Sequence, residues 1–198
     1  MPSYPQQWNV PPAPPKSSGT RILLIVIGII GGMTLLFCGG GALLMWQGGI
    51  GDAVGCTNWI SKGEYKKAIP PCRAVAEKFP QSGSAHNNLG WCLTLDGQLQ
   101  EGLAESRKAV ELEPARNYYD TLAMALALSG QGDEALQIET EHVFVNGAVT
   151  NNAERVTLGM AYYAAGRKQD AREQWKIARR GSDVQARKLA SQLEAKYP

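Results

Sequence analysis

A chain of 198 residues with 20 basic and 18 acidic side chains, two histidines and 44% apolar residues has the length of one ordinary domain plus an appendage. Residues 1–51 contain only Lys16 and Arg21 and no acid, so the net charge of +2 belongs to them, and the remainder is neutral with 18 basic and 18 acidic residues. A neutral domain without a lysine–arginine stripe lacks the phosphate contacts that supply most nucleic-acid affinity, which excludes that class of partner.

Residues 1–21 begin MPSYPQQWNVPPAPPKSSGT. Proline, glutamine and serine in this proportion cannot bury a core, so this stretch is expected to be a disordered tail. Residues 22–46, ILLIVIGIIGGMTLLFCGGGALLMW, carry no charge. As a helix they would extend about 37 Å, enough to cross a hydrocarbon layer of about 30 Å with some tilt. Trp46 falls at the far end, where an amphipathic ring favours the interface. The run reads as a single transmembrane helix, and Gly28 and Gly32 form a GxxxG pair suited to close helix packing and to self-association. Lipid attachment at Cys38 or Cys56 fits less well. A large Phe37 precedes the first, and the second lies ten residues past the apolar run.

The flanking charges set the expected orientation. Lys16 and Arg21 precede the span, and the first basic residue after it is Lys62. The positive-inside rule then places the N-terminus in the cytoplasm and residues 47–198 on the extracytoplasmic side, periplasmic or equivalent.

The soluble part repeats itself. SKGEYKKAIPPCRAVAEKFP, LDGQLQEGLAESRKAVELEP, LSGQGDEALQIETEHV and YAAGRKQDAREQWKIARR each carry a turn glycine: Gly63, Gly97, Gly130 and Gly166. Five residues later comes a small residue, Ala68, Gly102, Ala135 or Ala171. Upstream, Leu89-Gly90, Leu122-Ala123 and Leu158-Gly159 recur in register, while the first repeat has Gly55-Cys56. A period of 33 to 36 residues signals stacked helix pairs. Small residues on both helices allow close approach, and Leu93, Leu126, Tyr162 and Trp175 fill the space beside them. Pro80 and Pro114 end their second helices. Pro70 and Pro71 are expected to kink or delay the second helix of the first repeat.

This pattern resembles the tetratricopeptide repeat family, most fully in NNLGWCLTLDGQLQEGLAESRKAVELEP. The resemblance implies an all-α fold: a transmembrane helix, then a right-handed superhelix of about four helix–turn–helix repeats over residues 47–182. The repeats would span about 49–82, 83–115, 116–151 and 152–182, with a capping helix at 183–198. It also implies that the first helices line a groove for a partner segment. Counting along them selects Asn87, Trp91 and Leu95, then Asp120, Met124 and Leu128, then Met160 and Tyr163. Such a set suits an apolar protein or peptide segment. The family's carboxylate clamp is not matched, since only Asn88 fits and Ala53, Thr57, Asn117 and Thr121 occupy the other places.

No catalytic constellation, cofactor motif or metal spacing is present, and His86 and His142 read as structural. Cys56 and Cys72 flank the Gly63-Glu64 turn at equal distances of eight residues, which brings them to the same height on an antiparallel helix pair. A disulfide is the expected outcome, with two packed thiols as the alternative. Cys92 is expected to be a single packed thiol. Two functions are compatible with all this: a membrane-anchored interaction scaffold or assembly factor, and a self-associating structural subunit that needs no transient client.

Overall fold

The computed structural model describes residues 50–144 and 151–197. The tail of residues 1–21, the apolar run 22–46 and the Gly28–Gly32 pair lie outside them. No helix among the described residues is long and apolar enough to cross a membrane.

Every regular element among the described residues is helical. In chain order they are α1 (Ile50–Ser61), α2 (Tyr65–Lys78), α3 (Gly83–Asp96), α4 (Leu99–Leu112), α5 (Arg116–Leu128), α6 (Gly132–Ile138), α7 (Asn152–Ala164), α8 (Lys168–Ala178) and α9 (Val184–Lys196). Helix α6 runs directly into a π-helical turn, Glu139–Val143. Consecutive helices pair as hairpins α1/α2, α3/α4, α5/α6 and α7/α8. Each hairpin packs on the next, and α3, α5 and α7 also touch in sequence, so the first helices share one face.

The four turns share one hydrogen-bond pattern. The amides of Glu64, Gln98, Gln131 and Arg167 donate to the carbonyls of Trp59, Leu93, Leu126 and Tyr162 at 2.8–3.0 Å. The amides of Gly63, Gly97, Gly130 and Gly166 donate to Ile60, Thr94, Ala127 and Tyr163. This double closure satisfies the last carbonyls of the first helix and requires a left-handed residue, which glycine supplies without a Cβ penalty. All four glycines have φ between 72° and 89°.

Within each hairpin, one residue pair sixteen positions apart sets the approach of the two helices. A Cβ on Gly90 would lie 2.6 Å from Ser106 Oγ, and one on Gly159 would lie 2.3 Å from Trp175 Nε1. The same offset gives Cys56–Cys72 in the first hairpin and Ala123–Glu139 in the third. Cys56 and Cys72 form a disulfide with Cα atoms 4.8 Å apart.

Helix α2 shows that the expected delay at Pro70 and Pro71 does not occur. It begins at Tyr65, directly after the turn, and continues through both prolines. The proline amides would have bonded carbonyls one turn back, so two ladder bonds are lost. The cystine ties Cys72, the next residue, to α1, and Pro71 lies over Gly55, where an added Cβ would just meet its ring at 3.4 Å. These ties hold the helix across the gap.

Two core clusters result. One joins Cys56, Ala68, Ile69 and Cys72 to Leu89, Cys92 and Leu93 of α3. The other runs through α5, α7 and α8 and takes in Ala186, Ala190 and Leu193 of α9. Arg73 of α2 forms a two-pronged ion pair with Glu101 of α4, tying the first two hairpins at the surface.

Candidate partner-binding groove

The shared face of the first helices carries a cleft, and its walls are legible residue by residue. A cavity of about 500 Å3 is lined by Tyr65, Thr94, Leu95, Leu99 and Leu128, and closed on one side by Leu189 and Leu193 of α9 and by Tyr197 just after it. A second cavity of about 170 Å3 lies between Ile60, Tyr65, Trp91 and Val156 and the residues Ala186 and Leu189. Helix α9 therefore lies along this face and spans it. Gln185 Nε2 donates to the carbonyl of Ser61 at 2.8 Å, a contact across 124 residues of sequence. At the other end the ring of Tyr197 lies 5.0 Å from that of Tyr163.

Sequence counting selected eight residues for this groove, and four of them do not line it. Asn87, Asp120, Met124 and Met160 are buried, the two methionines almost completely. Met124 and Met160 belong to the core that joins α5 and α7 to α9. Counting along a helix gives the side-chain direction but not how closely the next hairpin and the last helix approach. Trp91, Leu95, Leu128 and Tyr163 are half-buried and pack against the core from its edge. Trp91, Leu95 and Leu128 border the cavities.

Counting also missed residues that line the cleft. Tyr65 begins a second helix, Leu99 belongs to another, Leu189 lies in α9 and Tyr197 directly follows it. Tyr65 meets Trp91 edge-on with ring centroids 6.4 Å apart. Burial pushes the Tyr65 hydroxyl above its ordinary range, with Cys92 and Asp183 adding to the effect. The resemblance implied a capping helix over 183–198, but not the surface on which it would lie.

Beneath the cleft, α5, the π-helical turn and α7 bury a polar cluster. Asp120 lies beside Thr157 and Glu139, and Arg116 Nη2 donates to Glu154 at 2.9 Å. Burial pushes the Asp120 carboxyl up to about 7, a rise that the Thr157 hydroxyl opposes and the Glu154 charge reinforces. Burial also holds Glu139 well above the usual carboxylate range, aided by the neighbouring Asp120 and Glu154 charges. An ionised carboxylate only accepts hydrogen bonds, so Asp120 and Glu139 can bond to each other only with a proton between them. Among the described residues no set of His, Cys, Asp or Glu side chains is arranged to hold a metal ion.

The cysteines are buried together. Cys92 Sγ lies 3.9 Å from Cys72 Sγ. Burial pushes the Cys92 thiol up to about 12, so almost none of it is thiolate at neutral pH and exchange with the adjacent cystine is suppressed. His86 is also buried, with Nδ1 2.5 Å from Glu105 Oε2 and Nε2 3.1 Å from the Pro80 carbonyl. It ties α3 to α4 and to the preceding turn. His142 stacks on Tyr119 at 3.9 Å between centroids.

No protein-family model and no curated protein matches this chain.

Proposed function

We propose that this chain is a membrane-anchored interaction scaffold, or assembly factor, that presents tetratricopeptide-like repeats on the extracytoplasmic side and binds an apolar segment of a partner protein. The observation that carries this reading is the cleft along the first helices. It holds a cavity of about 500 Å3 with Leu95, Leu99 and Leu128 in its walls and polar Thr94 and Gln192 at the same site. A concave surface of leucine and aromatic side chains with few polar groups suits peptide recognition better than it suits a reaction.

Three further features support it. The repeat register, with its left-handed turn glycines and its small–large contacts sixteen residues apart, is that of a stacked helix-pair array. The Cys56–Cys72 disulfide belongs to an oxidising compartment, in agreement with the charge bias around residues 22–46. An anchor raises the effective concentration of the groove near partners in the same membrane, so modest intrinsic affinity suffices.

Photo-crosslinking residues placed at Trp91 and Leu95 in native membranes test this reading, with the exposed Lys108 on α4 as the control position. The expected result is an adduct with a second protein from the two groove positions and not from Lys108. Adducts with the same chain alone would replace the scaffold by a self-associating structural subunit.

A further inference from the structure

Helix α9 sits where a bound segment would sit. Its apolar residues Ala186, Leu189, Ala190 and Leu193 follow the i, i+3, i+4, i+7 spacing of a helix laid into a groove. Ala186, Ala190 and Leu193 are buried there. The seat is nevertheless filled poorly. Beside Ala186 and Leu189 a cavity of about 170 Å3 stays open between Ile60, Trp91 and Val156. That is about the volume of an apolar pocket that accepts a benzene-sized group, whereas protein interiors are normally packed to crystal-like density. The fit is that of a helix with an alanine, Ala186, beside a space shaped for something larger.

The apolar face of α9 joins the core, but its polar ties are light. A hydrogen bond from the half-buried Gln185 to the exposed Ser61 links it to the first hairpin. At α8, Arg179 pairs with Glu194 at 3.0 Å on the surface. Exposed contacts of these kinds contribute little. Helix α9 carries its own N-terminal cap, since Asp183 Oδ1 accepts from the amides of Gln185 and Ala186 at 2.8 and 3.0 Å. Its first turn therefore does not depend on the groove for its cap.

We propose that α9 is a displaceable occupant of the groove, and that an amphipathic helix of the partner, with a bulky apolar side chain where α9 has Ala186, takes its place. This rests on the reading of the cleft as a peptide-binding groove and adds its regulation and the form of its ligand. The chain holds its own groove closed until a better-fitting helix arrives. The affinity observed for the partner is then its intrinsic affinity reduced by the fraction of molecules in which α9 is bound.

The test uses the full chain in detergent with Cys38→Ser, and a fluorescent peptide of residues 183–198 carrying Ala186→Leu. In one form, Ser61→Cys and Gln185→Cys are joined by a short bis-maleimide that locks α9 in place; in the other they are left unjoined. The unjoined chain should bind the leucine peptide at least about tenfold more tightly than the locked one, and more tightly than it binds the parent alanine peptide. A chain with Leu193→Asp, whose α9 is released, should bind the leucine peptide more tightly still. Equal binding by locked and unjoined chains would overturn displacement while leaving a peptide site elsewhere on the repeats. Absence of binding to a Leu193→Asp chain that keeps its helical circular dichroism would overturn the groove reading itself.

Discussion

Trp175 donates its indole N–H to the carbonyl of Val156 at 3.2 Å, and its ring fills the space that a Cβ on Gly159 would need. Glycine at position 159 is thus required by its partner and not by its backbone, which is ordinary helix. Alanine has the better helix propensity by about 1 kcal/mol. Against that stand overpacking, at about 1–3 kcal/mol, and disturbance of a buried hydrogen bond at about 1 kcal/mol. Gly159→Ala should therefore destabilise the protein by about 1–3 kcal/mol. Thermal unfolding by circular dichroism would show a lower midpoint, and an unchanged or raised one would refute the packing account.

The cystine is expected to stabilise the first hairpin most. Its two cysteines are 16 residues apart, and closing a loop of this size stabilises by about 3 kcal/mol through the unfolded chain. Cys56→Ala with Cys72→Ala should lower stability by up to that amount. Hydrogen exchange should accelerate in α1 and α2 well before α5 and α7, because the two prolines already weaken α2. Uniform acceleration across all hairpins would contradict this.

Stability should fall as pH rises from about 4 to above 7. The Asp120 carboxyl, ordinarily at 3.8, stands at about 7 in the folded protein because of its burial, and Glu139 is also raised. Between those values the folded state holds a proton that the unfolded state has released. The stabilisation is therefore complete below about 4 and is lost through about 7. Urea unfolding at pH 5 and pH 8 measures the difference. Asp120→Asn should shrink it, and a variant with the full wild-type difference would show that the cluster is not its source.

His86→Ala should cost about 1–3 kcal/mol. It leaves the Glu105 carboxylate and the Pro80 carbonyl without the ring nitrogens that face them, and removes a buried side chain from the α3/α4 joint. Pairing His86→Leu with Glu105→Leu should recover most of the loss, since removing both polar partners avoids an orphaned charge. A double variant no better than the single one would place the cost in packing alone.

The hairpins were legible because their signals are local. Gly63, Gly97, Gly130 and Gly166 mark turns that only glycine makes easily, and the sixteen-residue offset fixed the pairing of Cys56 with Cys72. The groove was half legible. Trp91 and Leu95 border the cleft, but Met124 and Met160 are core. Telling them apart requires the distance between neighbouring hairpins, which no single helix encodes. Glu139 illustrates a different blindness. It occupies in the third hairpin the position of Ser106 and Trp175, yet glutamate is seldom fully buried, and the burial that raises its affinity for a proton is a tertiary fact.

The bond between Gln185 and Ser61 also bears on the order of folding. The other contacts join helices of one hairpin or of neighbouring hairpins, so each pair can form soon after its own 34 or so residues and those of its neighbour have been made. The seat of α9 is assembled from Ser61 at one end and Tyr163 at the other, and its occupant is encoded after all four hairpins. Until α9 is made, the repeats therefore stand with Trp91, Leu95 and Leu128 uncovered. The newborn chain passes through a period of greater stickiness that ends only when α9 docks.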